Sequence, residues 1–340
     1  MMGKMVKIGL DCFGSDQGQI IFLQALKDVS VTDKSLFFYV YGRENEINDY
    51  LSKHNINKEN IKVIDCKEEI LVNEQPVFAL RAKRQSSLAI AGDDLKNGVI
   101  DCLISAGSTG AVVALAQLYI STLEGVKRPA IAALVPTLNN PMLLIDAGAN
   151  VDPEAKWLYQ YALLGSTYMK EIMGVSNPRV GLLNIGVEEE KGNALTKETH
   201  KLLSNDKYIN FIGNVEAREV STGVCDLLVT DAFSGNIVLK MYEGTAKNLM
   251  KLIKSAIKSN IVASIGGLLI KNTLKKSMSI YDLSNHGGAP LIGSSKLIIK
   301  CHGSSKSAEI KNAILEAKKF VEVDLIHRFS DSLKGANYGI

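Results

Sequence analysis

Residues 103–111 read LISAGSTGA, an apolar run that ends in glycine and small polar residues just before a helix-like segment. The same arrangement occurs five more times along the chain. The other five strand ends are LLIDAGANVD (143–152), GLLNIGVEEEKGN (181–193), NFIGNVE (210–216), LLVTDAFSGN (227–236) and IIKCHGSS (298–305). In an open α/β sheet, ligands bind at the carboxyl ends of the strands, where the following helices begin with unpaired N–H groups. The six turns therefore predict one broad, anion-binding cleft along a single edge of the sheet.

The alternation of apolar runs and helix-like segments predicts a three-layer α/β/α sandwich with a mostly parallel, doubly wound sheet. Most runs are apolar on both faces, which is typical of strands buried between two layers of helices. The expected strands are Val6–Leu10, Leu36–Tyr41, Ile61–Ile64, Cys102–Ser105, Ala130–Val135, Met142–Ile145, Arg179–Asn184, Ile209–Ile212, Leu227–Thr230 and Leu297–Cys301. The expected helices are Gln75–Asn97, Thr109–Thr122, Pro153–Met173, Gly192–Ser204 and Ser305–Val323. We expect a single domain over residues 1–340.

A basic segment, residues 245–281, differs from the rest of the chain because it contains no Asp or Glu. Its seven lysines are Lys247, Lys251, Lys254, Lys258, Lys271, Lys275 and Lys276. The formal net charge of the chain is +3, so the rest of it is net negative. A long helix over about Ile237–Asn260, with its lysines on one face, and a break at Gly266-Gly267 predict a protruding helix–turn–helix arm over residues 241–281. Its apolar tip consists of Ile261, Val262, Ile265, Leu268 and Leu269.

The arm has several interpretations. A lysine-rich helix face is often solvated surface. Apolar residues beside clustered lysines are also what docking to an anionic bilayer or an acidic protein requires. The arm can equally pack against its twin in a dimer.

The composition is that of a globular protein, with 46% apolar and 22% charged residues. The five cysteines are scattered and form no CxxC pair, which favours a reducing cytosolic compartment. We find no signal peptide before the first strand, and no apolar run approaches the roughly 20 residues that span a bilayer. We therefore expect a cytoplasmic protein that can contact a membrane surface.

The familiar catalytic motifs are missing. The sequence contains no GxGxxG, GxxxxGK[ST], GxSxG or HExxH, and its five histidines form no pair with metal-ligand spacing. A metal site, a serine-hydrolase triad and a dinucleotide fingerprint are therefore not indicated. Glycine-rich turns with Ser, Thr, Asn and Lys bind phosphate groups through backbone N–H donors and hydroxyls. A single such turn can simply reverse the chain, but six at one edge favour a ligand cleft.

Eight segments in order resemble the motifs of the PlsX-type phosphate acyltransferases, from Lys7 to about Val321. They are SAGSTGA, RPAIAALVPT, LIDAGANVD, GLLNIGVEEEKGN, FIGNVEAR, DAFSGNIVLK, GGAPLIG and HGSSKSAEIKNAI. The chain departs from the family at DCFGSDQGQ (11–19), where Gln17 replaces the usual histidine, and Ser108 replaces an asparagine. The resemblance implies a fold similar to the phosphotransacetylases and the isopropylmalate-type dehydrogenases.

The resemblance also implies a reaction. An acyl group passes from the phosphopantetheine thioester of acyl carrier protein to inorganic phosphate, and the acyl phosphate feeds phospholipid synthesis through a membrane-bound glycerol-3-phosphate acyltransferase. The resemblance further implies a homodimer and peripheral membrane association. It implies no cofactor, no metal and no nucleic-acid partner. A thioester is already activated, so such an enzyme needs to orient two anionic partners and stabilise an oxyanion.

Matching the motifs assigns the site residues. Phosphate is expected beside Ser105, Gly107, Ser108, Thr109 and Gly110, and other substrate contacts are expected from Asp146, Asn150, Asn184, Glu216, Ser234 and Asn236. Asp11 follows the first strand, so it is expected either to contact the substrate or to cap the next helix. The catalytic candidates are Lys191, Asn193, Asp231, Lys240 and His302. Lys191 or Lys240 would neutralise phosphate. His302 would donate a proton to the leaving thiolate, or it is a buried histidine hydrogen-bonded to a neighbouring turn. The lysines of the basic segment would dock acidic acyl carrier protein. Two alternatives stay open: a dehydrogenase on the related fold and a non-catalytic scaffold that recruits partners to the membrane.

Overall fold

One large sheet organises the chain. The structure is a computed structural model that describes residues 5–278 and 287–335, with side chains for all of these except residues 275–278. The strands are β1 (Val6–Asp11), β2 (Leu36–Gly42), β3 (Ile61–Asp65), β4 (Cys102–Ser105), β5 (Ala130–Val135), β6 (Met142–Ile145), β7 (Arg179–Asn184), β8 (Asn210–Glu216), β9 (Leu227–Val229), β10 (Ala289–Ile292) and β11 (Leu297–Lys300). Within the described residues their order is β3-β2-β1-β4-β11-β10-β5-β6-β9-β7-β8. The ten predicted strands are confirmed, with β8 running four residues further than expected, and β10 was not predicted.

Helices cover both faces of the sheet, as predicted. They are α1 (Ile20–Thr32), α2 (Glu44–Lys53), α3 (Pro76–Ala82), α4 (Ser87–Lys96), α5 (Thr109–Leu115), α6 (Ala155–Glu171), α7 (Ala194–Ser204), α8 (Ala232–Ile257), α9 (Ile261–Met278), α10 (Ser307–Glu322) and α11 (Leu325–Gly335). One core contains residues of α1, α2, α6, α7, α10 and α11. The second contains residues of α3, α4 and α5, with α8 packed against it. Along β4, Cys102 and Ile104 belong to the first core and Leu103 to the second, which explains why the strands are apolar on both faces.

The direction of the strands reverses in the middle of the sheet. β10 is antiparallel to both of its neighbours, β11 and β5, and β5 is antiparallel to β6. The strands β6, β9, β7 and β8 are parallel to one another, as are β1, β2, β3, β4 and β11. Because of the reversal, the carboxyl ends of β6 to β9 lie at the edge opposite the carboxyl ends of β1, β4 and β11.

Several predicted helices have different bounds. Residues 75–97 form two helices, α3 and α4, because Ser86 caps α4 by accepting from the N–H of Ala89 while its hydroxyl donates to the carbonyl of Lys83. After α5 the chain continues as a π-helical turn, Ala116–Ile120. The α6 helix begins at Ala155 rather than at Pro153. Its N-cap residue is therefore Glu154 and not Asp152 as expected.

The helical hairpin of α8 and α9 turns earlier than predicted. α8 ends at Ile257, and the Asn260 side chain accepts from the N–H of Ala263 at the start of α9. α9 then runs through Gly266 and Gly267 without a break. A Cβ on Gly267 would lie 2.2 Å from Ile257 Cγ2, so glycine here allows the two helices to approach closely. That residues 241–281 protrude as an arm stays a prediction, and Ser279–Tyr281 and the side chains of Lys275 and Lys276 lie outside the described residues.

Candidate active site

Three strand ends meet at one edge of the sheet. Asp11 of β1, Ser105 of β4 and Lys300 of β11 are register partners on adjacent parallel strands. The Ser105 hydroxyl donates to Asp11 Oδ2 at 2.6 Å, and the Ser87 hydroxyl of α4 donates to Asp11 Oδ1 at 2.5 Å. A carboxylate, a hydroxyl and an amine-bearing side chain are therefore aligned across three strands.

The loops that follow these strands pack against one another. The N–H of Gly107 donates to Ser105 Oγ at 3.1 Å, and the N–H of Asp16 donates to the carbonyl of Gly303 at 2.9 Å. Gly14 has a φ of +78°, and a Cβ there would lie 2.5 Å from Gly107 Cα, so this approach requires glycine. We call the combined surface of residues 12–18, 105–110 and 302–305, together with Asp11, Lys240 and Lys300, the first-edge site.

A buried carboxyl and a half-buried amine form the floor of the first-edge site. Burial raises the pKa of Asp11 to about 6, although the hydrogen bonds from Ser105 and Ser87 favour its ionised form. Burial also lowers the pKa of Lys300, whose ammonium donates to the carbonyl of Cys301. Neither Ser87 nor Lys300 is among the site residues predicted from the sequence. Lys300 had a readable signal, since it is the one charged residue in the apolar run Leu297–Cys301.

A lysine from α8 reaches the same site. Lys240 Nζ lies 3.2 Å from His302 Nε2 and 3.1 Å from a carboxylate oxygen of Glu243. On the other side of the ring, His302 Nδ1 lies 2.7 Å from Ser304 Oγ. Burial, followed by the charge of Lys240, lowers the pKa of His302. The imidazole is therefore neutral near neutral pH. Lys240 is placed to donate to Nε2 and the backbone N–H of Ser304 is placed to donate to Nδ1, at 3.2 Å each, and in the neutral ring one of the two nitrogens carries the proton while the other accepts. This arrangement favours proton uptake by His302 before any proton donation.

A second group of predicted residues lies where β6 and β9 end. Both carboxylate oxygens of Asp146 accept hydrogen bonds, from the N–H groups of Ile131, Gly148, Ala149 and Asn150 and from the Asn150 side chain. Asp146 is fully buried, and burial raises its pKa. These hydrogen bonds to Asp146 stabilise the conformation of the turn that follows β6.

The start of α8 is fastened to this turn. Asp231 caps α8 by accepting from the N–H of Ser234 at 2.8 Å, and the Asn236 side chain donates to the carbonyl of Ala147 at 3.1 Å. Lys240 lies one helical turn beyond Asn236, about 6 Å along the axis. The second group therefore positions the helix that carries Lys240.

A third group follows β7 and β8. The Asn184 side chain accepts from the N–H of Ile185 and donates to the carbonyl of Lys191, at 2.9 and 3.1 Å. Asn193 caps α7 by accepting from the N–H of Thr196, and Glu216 pairs with Arg218. The Lys191 side chain is exposed.

The prediction that all six strand ends share one edge is wrong. The antiparallel pairs β10–β11, β10–β5 and β5–β6 place the ends of β6, β7, β8 and β9 at the opposite edge. The first-edge site unites Asp11, Ser105, Gly107, Ser108, Thr109, Gly110, Lys240 and His302. Within one chain, Asn184, Lys191, Asn193 and Glu216 belong to the other edge. In the described residues no group of three or more His, Cys, Asp or Glu side chains is placed to hold a metal ion.

The hairpin carries its lysines on the surface. Lys247, Lys251, Lys254, Lys258 and Lys271 are exposed. The tip residues Ile261, Val262, Ile265, Leu268 and Leu269 are each more than half exposed. Across residues 5–278 and 287–335, no helix is long and apolar enough to cross a bilayer.

Known proteins resemble the chain over almost its whole length. A family model described as fatty acid synthesis protein matches residues 6–328. A phosphate acyltransferase from Clostridium perfringens is 44% identical over 328 residues, which cover 96% of this chain and 97% of the relative. A phosphate acyltransferase from Clostridium acetobutylicum is 43% identical over 330 residues, which cover 97% of this chain and 99% of the relative. The EutD phosphotransacetylase from Staphylococcus aureus superposes with a TM-score of 0.59 at 17% identity, covering 96% of this chain and 95% of its own, which supports the fold alone.

Proposed function

The chain belongs to the fatty acid synthesis protein family, and on this premise we propose that it transfers an acyl group from acyl carrier protein to inorganic phosphate. It is an acyltransferase, as its relatives are named, and the donor and the reaction route are the parts that we infer. The observation that carries the proposal is the cluster of Lys240, Lys300 and His302 beside the loop Ser105–Gly110. Two amine-bearing side chains, a neutral imidazole and a glycine-rich loop are suited to an oxyanion of phosphate size.

The proposed step needs no covalent intermediate. An oxygen of hydrogen phosphate attacks the thioester carbonyl, the carbon–sulfur bond breaks, and acyl phosphate and the carrier thiol result. The proton of hydrogen phosphate ends on the sulfur, so atoms and charge balance. His302 is arranged to take that proton at Nε2 and pass it to the thiolate, while Lys240 turns from His302 to the phosphate.

The loop Ser105–Gly110 provides the oxyanion contacts in this scheme. The Ser108 side chain makes no capping hydrogen bond to α5, so it leaves the first N–H groups of this helix to a ligand. These donors would stabilise the negative charge that develops on the carbonyl oxygen. Ser105 is held by Asp11, which fixes the start of the loop.

The test is an assay for acyl phosphate. We expect the protein to convert acyl carrier protein thioester and phosphate into acyl phosphate, trapped as a hydroxamate, and a parallel sample with NAD and a 2-hydroxy acid to show no hydride transfer. We expect Lys240→Ala to raise the KM for phosphate by about 10- to 140-fold, because a charge-assisted hydrogen bond contributes about 1.5–3 kcal/mol. Lys53→Ala, which removes an exposed lysine at the end of α2 outside every proposed binding surface, is the matched control. No acyl phosphate from the wild type would refute the proposal.

Lys191 is tested in the same assay. Because it lies at the edge opposite Lys240 within one chain, we expect Lys191→Ala to leave the KM for phosphate closer to the wild-type value than Lys240→Ala does. If the order of the two effects is reversed, the phosphate is bound at the third group of residues and our assignment of the first-edge site is wrong.

The hairpin provides the proposed partner surfaces. The lysine face of α8 is suited to acidic acyl carrier protein, and the exposed tip of α9 is suited to an anionic membrane surface. The exposed stripe Phe233, Ile237 and Met241 on α8 supports a homodimer. Release of acyl phosphate at a membrane would serve a membrane-bound glycerol-3-phosphate acyltransferase.

A further inference from the structure

Glu243 is an exception on the helix that carries Lys240. It is the one acidic residue in α8, whose lysines are Lys240, Lys247, Lys251 and Lys254. Lys240 lies three residues before Glu243 and Lys247 four residues after it, so the three side chains share one face of the helix. The Glu243 side chain is 18% exposed, whereas that of its partner Lys240 is 49% exposed. This carboxylate therefore differs from those of solvated ion pairs on a helix surface, which contribute little to stability.

The turn of α8 that precedes Glu243 is fixed against the sheet. Val238, Leu239 and Tyr242 pack against the second core, and the Tyr242 hydroxyl donates to the carbonyl of Pro136 at 2.6 Å. The backbone of Glu243 is therefore held by the sheet rather than by the exposed part of the hairpin that follows.

The Glu243 carboxylate lies close to the imidazole of His302. Lys240 Nζ is 3.1 Å from Glu243 Oε2 and 3.2 Å from His302 Nε2, so these two atoms are at most about 6 Å apart. An opposite charge within about 4–6 Å favours the charged form of a titratable group. Burial and then the charge of Lys240 lower the pKa of His302, whereas Glu243 raises it. The charges of Lys300 and Lys247 also lower this pKa.

We propose that Glu243 is a positioning residue for the proton transfer and acts as the counter-charge of His302 while the imidazole carries the proton. The inference rests on the proposed function, in which His302 takes a proton from hydrogen phosphate and Lys240 turns to the phosphate. Before phosphate binds, Glu243 pairs with Lys240 beside the ring. After Lys240 turns away, the carboxylate stabilises the imidazolium until the proton passes to the thiolate. Glu243 itself neither gains nor loses a proton, so the balance of the reaction is unchanged.

The test compares Glu243→Gln with the wild type in the acyl phosphate assay. Glutamine keeps the shape of the side chain and removes its charge. A general acid or base contributes about 10²–10⁴-fold to a rate, and Glu243 acts through one, so we expect kcat to fall about tenfold while the KM for phosphate stays within about twofold. We also expect the acid limb of the pH profile of kcat to move to lower pH, because without the carboxylate His302 is a weaker base.

The matched control breaks a similar ion pair far from the site. Glu322→Gln removes the carboxylate that lies 3.6 Å from Lys318 Nζ, one turn away on α10. We expect this variant to keep the wild-type kcat and the wild-type pH profile.

Two further variants separate the proposed role from that of a simple partner of Lys240. Glu243→Asp keeps the charge and should restore most of the lost rate. In a Lys240→Ala background, Glu243→Gln should still lower kcat, because the carboxylate acts on the imidazolium directly. An unchanged kcat for Glu243→Gln, or no further effect of it in the Lys240→Ala background, would overturn the inference and leave the proposed function intact. Absence of acyl phosphate from the wild type would overturn both.

Discussion

Asp11→Asn is expected to stabilise the protein at alkaline pH. The Asp11 carboxyl is 2% exposed, and burial raises its pKa from 3.8 to about 6. A raised pKa in the folded state means that the native protein holds this proton more tightly than the unfolded chain does. The contribution of Asp11 to stability is therefore fully present below about pH 4 and is lost as the pH rises through 6.

The magnitude follows from the displacement of the pKa. One pKa unit corresponds to about 1.4 kcal/mol, so the move from 3.8 to about 6 corresponds to about 3 kcal/mol. Asparagine has the same shape and no charge, and the Ser87 and Ser105 hydroxyls can rotate to meet its amide. We therefore expect the free energy of unfolding of Asp11→Asn to exceed that of the wild type by up to about 3 kcal/mol at pH 8.

The assay is urea-induced unfolding of both proteins between about pH 4 and pH 8. We expect the two unfolding free energies to converge near pH 4, where Asp11 is protonated and neutral, and to separate as the pH rises. Asp152→Asn, which removes an exposed carboxylate, is the control and should give a curve parallel to the wild type. Parallel curves for Asp11→Asn, or a less stable variant at pH 8, would refute the reasoning.

Three further predictions concern the site and the hairpin. Lys300→Met should lower kcat/KM for phosphate at least tenfold in the acyl phosphate assay, because it removes a half-buried amine and keeps most of the side-chain volume; unchanged kinetics would exclude Lys300 from the site. Turnover with acyl carrier protein should fall as salt is raised from about 0.05 to 0.5 M, and replacing Lys251 and Lys254 by Glu should abolish this dependence; an unaltered salt response would remove the lysine face from docking. Leu268→Glu with Leu269→Glu should release the protein from anionic vesicles in a flotation assay without changing its circular dichroism, whereas retained binding would locate the membrane contact elsewhere.

The sequence predicts the strands well, because burial between two helix layers leaves short runs that are apolar on both faces. It predicts their direction less well. β10 is four residues long and contains Pro290, so it carries little pattern of its own. The reversal at β5–β6 was readable, because residues 136–141 are too few for a crossover between parallel strands.

The site was predictable in its residue types and less so in its grouping. The motif match identifies the loop Ser105–Gly110, Lys240 and His302, which the fold brings together. The motif match also includes Asp146. Its carboxylate accepts five hydrogen bonds from its own turn and from Ile131, which explains why an aspartate occupies this position. The pKa of His302 is lowered by burial and then by Lys240, which is 62 residues away in sequence and approaches through the packing of α8. Ser87 lies inside a segment expected to be one helix, so nothing in the pattern singles it out.

The most direct test of the central claim is whether thiol release depends on phosphate. Acyl carrier protein thioester is mixed with the enzyme, and free thiol is followed before and after phosphate is added. Direct attack at the first-edge site predicts no thiol without phosphate, followed by thiol and acyl phosphate in equal amounts. A burst of thiol equal to the enzyme concentration in the absence of phosphate, with the acyl group attached to the protein, would contradict it.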